Sequence, residues 1–90
     1  MTNEKLMQEF LNGETKGKAG NLKIEGDKLI QYSTTIAQVV NGQVIVNVTK
    51  YSKTTTVLQN KLAKWMPETL FLSDIPQGTY DLTRYITKVA

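Results

Sequence analysis

The run Asn47-Val48-Thr49-Lys50-Tyr51-Ser52-Lys53-Thr54-Thr55-Thr56 holds the densest polar chemistry in this 90-residue chain. It gathers the hydroxyls of Thr49, Ser52, Thr54, Thr55 and Thr56, the Tyr51 phenol, and two ammonium groups, on Lys50 and Lys53. A helix starting at Ser52 would place these groups where backbone N–H groups lack partners and the helix dipole is positive. Donors of that kind grip a phosphate while lysines neutralise it. With Lys61 and Lys64 further along the same helix, the predicted nucleic-acid-binding set is Lys50, Tyr51, Ser52, Lys53, Thr54, Thr55, Lys61 and Lys64. The same residues also have a purely structural use. Ser52 is a good N-cap, and Tyr51 suits the apolar position before it. One cap needs one hydroxyl, however, and three consecutive threonines are poor helix formers.

The charge pattern suits the phosphate reading and an ordinary solvated face about equally. Net charge is +3, and no carboxylate lies between Asp27 and Glu68, while Lys28, Lys50, Lys53, Lys61 and Lys64 all fall in that interval. A basic segment of this kind steers polyanions, although solvated lysines are also what any soluble domain carries. Arg84 is the single arginine. Bidentate reading of guanine edges is therefore poorly equipped, and contacts to phosphate by point charges suit the composition better.

Composition removes other chemistries. Cysteine and histidine are both absent, which excludes disulfides, thiolate zinc sites, imidazole ligands and imidazole bases. No metal site, catalytic residue or cofactor is expected. Asp74 and Asp81 lie in different predicted elements, and Glu25 and Asp27 flank a turn, so paired-carboxylate catalysis has little support. A Walker-type phosphate loop is missing. A ribonuclease built on Lys, Arg and Tyr would need several cations converging on one phosphate, which one arginine supplies poorly. No apolar run approaches a membrane span, and Met1-Thr2-Asn3-Glu4-Lys5 does not resemble a signal peptide.

The elements that must position these residues can be read from periodicity. Leu6, Met7, Phe10 and Leu11 predict a helix over Asn3–Asn12, capped by Thr2 or Asn3 and stopped at Gly13. Glu14–Gly20 reads as a flexible connector, with Gly17 and Gly20 spaced for a close backbone approach. Asn21–Glu25 and Lys28–Ser33 form a hairpin around Gly26-Asp27. Thr35–Val40 and Gln43–Thr49 form a second around Asn41-Gly42, the dipeptide best suited to a two-residue turn. That turn pairs Val40 with Gln43, Val39 with Val44, Ala37 with Val46 and Thr35 with Val48. One face then carries Thr35, Ala37, Val39, Val44, Val46 and Val48, and packs on a helix. The other carries Ile36, Gln38, Val40, Gln43, Ile45 and Asn47, an amide stripe that, with Tyr32, could stack on unpaired bases.

Tyr51–Trp65 is the second helix, with Leu58, Leu62 and Trp65 inward, Lys53, Lys61 and Lys64 outward, and Pro67 ending it. Trp65 is read as a core residue. Thr69–Leu72 reads as an edge strand and Ser73–Gly78 as a connector. Thr79–Ala90 reads as a helix capped by Thr79, with Leu82, Tyr85, Ile86 and Val89 on one side. The fold expected is α+β in one domain: a four-stranded antiparallel meander against a central helix, with short terminal helices.

Gly26-Asp27-Lys28-Leu29, Tyr32, Thr34, Ile36-Ala37, then Asn47, Tyr51-Ser52, Thr54-Thr55 and Gln59 resemble a domain of unknown function in small phage and mobile-element proteins. The pattern is G-D-x-L-x-x-Y-x-T-x-I-A followed by N-x-x-x-Y-S-x-T-T-x-x-x-Q, over about residues 20–62. The resemblance implies a phage or mobile-element origin and the cytoplasm of a bacterial host, and brings no chemistry with it. The function expected is a small, basic, non-enzymatic accessory protein that binds DNA or RNA through phosphates with little base specificity. The alternative is a protein–protein inhibitor of a host enzyme, a counter-defence protein such as an anti-CRISPR, using a patch of Phe71, Ile75, Tyr80 and Tyr85. A virion component fits the class without a positive signal. No membrane is expected as partner, and a homodimer is compatible with the size.

Overall fold

The computed structural model describes residues 2–66 and 69–86. Its elements are α1 (Asn3–Leu11), β1 (Lys16–Ala19), β2 (Leu22–Glu25), β3 (Lys28–Gln31), β4 (Thr34–Val40), β5 (Gln43–Asn47), α2 (Lys53–Trp65), β6 (Leu70–Leu72) and α3 (Thr83–Ile86). The fold is α+β. The sheet has six strands in the order β1-β2-β3-β4-β5-β6, antiparallel except for the parallel pair β5–β6, rather than the four expected.

The extra strands sit at the two edges. The segment read as a flexible connector holds β1, whose Lys16 and Lys18 are exposed while Ala19 is buried. Its remaining inward position is Gly17, where an added Cβ would lie 2.5 Å from Leu6 Cδ1. A glycine there lets α1 settle directly on the strand, and it removes the apolar alternation that would have announced one. At the far edge, β6 runs parallel to β5 because α2 provides the crossover, the connection that parallel neighbours require.

The second hairpin has the expected turn and register: Val40 pairs with Gln43, Val39 with Val44 and Ala37 with Val46. Asn41 and Gly42 both have positive φ, +52° and +78°, which is what this turn demands. The expected Thr35–Val48 pair does not form. β5 ends at Asn47, and the Val48 N–H donates to Leu72 O at 2.7 Å.

A bulge explains the change at Thr35. Leu29 pairs with Ala37 and Ile30 with Thr35, so Ile36 is an extra residue in β4. An extra residue reverses the alternation on one side of it. Ile36 therefore joins the helix-side core, and the Thr35 hydroxyl turns to the other face and donates to Tyr80 O. These two residues are exchanged relative to the expected faces.

Two cores result. The larger lies between the sheet and the helices α1 and α2, and contains Leu6, Met7, Phe10, Leu22, Ile24, Leu29, Ile36, Ala37, Val46, Leu58 and Leu62, with Val39, Val44, Val48 and Trp65 packed against it. The smaller lies on the opposite face, where residues 73–86 cross the sheet and bury Ile45, Leu72, Ile75 and Leu82. Of the expected C-terminal helix Thr79–Ala90, the described part is helical at Thr83–Ile86, residues 87–90 lying outside the described residues, and Thr79 does not cap it: the Thr79 hydroxyl donates to Pro76 O at 2.7 Å. Asp81 takes the capping role, its Oδ1 accepting from Thr83 N–H at 3.0 Å. Pro67 and Val89, assigned roles from the sequence, lie outside the described residues.

Candidate nucleic-acid interface

The entrance to α2 is built from the end of β5. Asn47, wholly buried, accepts from Thr49 N–H on Oδ1 at 3.0 Å and donates through Nδ2 to Thr35 O at 3.1 Å and to the Tyr51 hydroxyl at 2.9 Å. The Tyr51 hydroxyl donates onward to Ile75 O at 2.6 Å, and Ile75 N–H returns a bond to Thr49 Oγ1 at 2.9 Å. Gln59, nearly two turns into α2 and buried, donates to the carbonyls of Asn47 and Thr49 at 2.6 and 2.8 Å. The strand end, the helix entrance and the strap over the far face are thus tied at one point.

Ser52 caps α2 as expected. Its Oγ accepts from Thr55 N–H at 3.2 Å and donates to Thr55 Oγ1 at 3.1 Å, and its carbonyl accepts from the Thr56 hydroxyl at 2.8 Å. The excess of hydroxyls has a structural use in large part. Thr49, Tyr51, Ser52, Thr55 and Thr56 bond within the fold, and Thr55 is only 3% exposed. Thr54 is exposed beside them. Asn47, Tyr51, Ser52, Thr55 and Gln59 are thus bonded largely among themselves and to nearby backbone.

The cations are placed differently. Lys50 and Lys53 are exposed and line one open recess of about 620 Å³ with Tyr51, Ser52, Thr56 and Val57. Lys53, Val57, Lys61 and Lys64 follow one another along the outer face of α2, within roughly 80° around an axis that turns about 100° per residue. Lys53 and Lys64 are exposed, Val57 is 54% exposed, and Lys61 meets Glu4 of α1 at 3.1 Å in a solvent-exposed pair. Such a pair is worth little and exchanges readily for another anion. Leu58 and Leu62 face the core, as expected, with Trp65 packed against it.

The amide stripe does not form a free platform. Gln38 and Asn47 are buried beneath residues 73–86; Gln38 Nε2 donates to Asp81 Oδ1 at 3.1 Å, and its Oε1 accepts from Leu82 N–H at 2.8 Å. Tyr32 stands apart from that stripe, on the β3–β4 turn, with φ +57° and 60% exposure. The second patch weighed from sequence also disperses: Phe71 and Tyr80 are exposed, but Ile75 is buried and Tyr85 packs against the smaller core.

A polar cluster not anticipated from sequence clasps the strap. The Tyr80 hydroxyl donates to Glu25 Oε1 at 2.8 Å, Lys23 meets Glu25 at 3.2 Å, and Lys28 lies 4.7 Å over the Tyr80 ring while bonding Asp27 at 2.8 Å. The Tyr80 hydroxyl, then Lys23, hold the Glu25 carboxyl below its ordinary pKa, and the same Glu25 bond raises the Tyr80 phenol. Hydrogen bonds from Thr83 and Gln38 lower Asp81, and the bond to Asp27 raises Lys28. Each shift favours the group's ordinary charge state, in keeping with a clasp of paired charges and hydrogen bonds. Among the described residues there is no acidic cluster arranged to hold a metal ion and no helix long and apolar enough to cross a membrane. No family model, curated protein or solved structure matches the chain.

Proposed function

We propose that this chain is a small non-enzymatic accessory protein of a phage or mobile element that binds nucleic acid through phosphate contacts, with little base specificity. The observation that supports this reading best is the stripe Lys53–Lys61–Lys64, which starts at the positive end of α2 and is extended by Lys50 across a shared recess. From Lys53 to Lys64 the helix rises about 16 Å, the reach of several backbone phosphates. The hydroxyls hold the helix entrance in shape, the lysines supply the attraction, and the first-turn amides of α2 complete it.

Labelled single- and double-stranded DNA and RNA, titrated at low and moderate salt, test the proposal. Lys50→Glu and Lys53→Glu each weaken binding with an unchanged circular dichroism spectrum. Equal binding by parent and both variants would remove the proposed site. A host-enzyme blocker is the second reading, favoured by Phe71, which is exposed on the edge strand β6. Absence of any nucleic-acid binding, with stoichiometric capture of one host enzyme lost on Phe71→Glu, would establish it instead.

A further inference from the structure

A cleft of about 370 Å³ opens beside the α2 entrance, lined by Gln31, Tyr32, Thr34, Tyr51, Ser52, Thr54, Thr55 and Gln77. Three features of it point to a ligand. Gln31 is 3% exposed, yet its Oε1 has no hydrogen-bond partner. Gln31 pairs with Leu22, a residue of the helix-side core, so its side chain rises on the face that α2 covers, toward the cleft. An acceptor buried in this way is costly and rare unless something supplies a donor.

The second feature is Tyr32. A non-glycine residue with φ +57° is uncommon, and here the turn holds an aromatic ring out at the cleft edge. The third is the helix N-terminus, whose Ser52, Thr54 and Thr55 line the cleft: Ser52 occupies the amide of Thr55, and the earlier first-turn amides have no carbonyl within the helix to bond.

We infer that the cleft receives one unpaired nucleotide of a bound single strand. The base stacks on Tyr32 and directs an N–H of its pairing edge to Gln31 Oε1, while its phosphate meets the α2 N-terminus at Thr54. The volume falls within the range of small-ligand sites. Each base has a stacking face and an N–H donor on its free edge, so the site selects strandedness more than sequence. In a duplex that edge is already paired, and only the lysine stripe would be used. This inference rests on the nucleic-acid reading above and adds to it a preference for single strands.

The test compares oligo-deoxythymidylate, oligo-deoxyadenylate and their duplex on the parent protein, Gln31→Leu and Tyr32→Gly. The parent binds both single strands more tightly than the duplex. Gln31→Leu lowers single-strand affinity about five-fold, the equivalent of one hydrogen bond, with duplex affinity and salt dependence unchanged. The same variant melts at higher temperature than the parent, because a buried unpaired oxygen has been removed. Tyr32→Gly, which keeps the positive φ without strain, lowers single-strand affinity about ten-fold. Equal affinity for single strand and duplex, unaltered by either variant, overturns the inference and leaves the phosphate reading standing. Failure of the parent to bind any of the three probes overturns both.

Discussion

On the side of α1 and α2, the sheet is covered by Leu6, Met7, Phe10, Leu58 and Leu62, and the joint is mainly apolar, with buried Gln31, Thr55 and Gln59 confined to the entrance of α2. On the other side, residues 73–86 are fastened mainly by directional bonds: Thr35 to Tyr80 O, Gln38 to Asp81 and Leu82, Thr49 and Tyr51 to Ile75, and Thr34 Oγ1 accepting from Gly78 N–H at 2.8 Å. The first joint draws on area and close packing, so it responds to lost volume. The second encloses a small core and depends on each amide and hydroxyl keeping its partner. One protein therefore has a face that tolerates exchange among apolar residues and a face that tolerates almost no polar exchange. The proposed interface belongs to the first side, on the outer surface of α2, and its entrance is braced by the second.

The largest effect expected is on the apolar joint. Leu62→Ala opens a cavity under α2 and costs about 3–4 kcal/mol, read as a lower denaturant midpoint by both tryptophan fluorescence and circular dichroism. Trp65 on the same helix reports the loss directly. Next comes Gln38→Leu, which leaves the Leu82 amide and the Asp81 carboxylate without that partner and costs about 2 kcal/mol. Hydrogen exchange should separate the two faces here: the Leu82 amide exchanges faster, while the β4–β5 amides stay protected. If both variants raise exchange everywhere alike, the two joints are one cooperative unit and the contrast between them fails. Tyr51→Phe is milder, at about 1 kcal/mol, since it removes the bonds to Ile75 O and Asn47 without opening a cavity.

The smallest effect is on pH. Glu25 and Asp81 are held below their ordinary pKa, so their contribution to the strap is complete above the usual carboxylate range and lost as pH falls through the folded-state values. Tyr80 and Lys28 are raised, so their contribution is complete below the ordinary phenol and ammonium values and lost as pH rises beyond them. Strap protection is therefore flat through neutrality and declines at both extremes. A mid-range step in Leu82 exchange near neutral pH would contradict the assignment of the clasp to these four groups.

The contrast between the faces also explains what was legible in the sequence. The Asn41-Gly42 hairpin, its register as far as Ala37–Val46, the Ser52 cap and the Leu58/Leu62 stripe rest on local rules of period and turn chemistry, and these stand in the structure. Two departures arose where a residue's role is set by a distant neighbour. Gly17 lies in a strand whose inward position is filled by Leu6 of α1, so no apolar alternation marks β1. The bulge at Ile36 depends on β3, which cannot be seen from β4 alone. The amides Gln38 and Asn47 looked like a free polar stripe because their partners, Asp81, Leu82, Thr35 and Tyr51, are reached by tertiary folding. For the proposed interface, the lysines of α2 could be placed from helical spacing. The commitment of most neighbouring hydroxyls to the fold could not, and neither could the buried acceptor of Gln31.

The most direct test of the proposed role is the salt dependence of binding to a labelled strand. Four contacts, from Lys50, Lys53, Lys61 and Lys64, predict a log–log slope of about −3 on a single strand, reduced by about 0.7 for each lysine changed to glutamine. A slope near zero, or one unmoved by Lys53→Gln and Lys64→Gln, would show that the basic stripe of α2 is solvated surface and not a phosphate track.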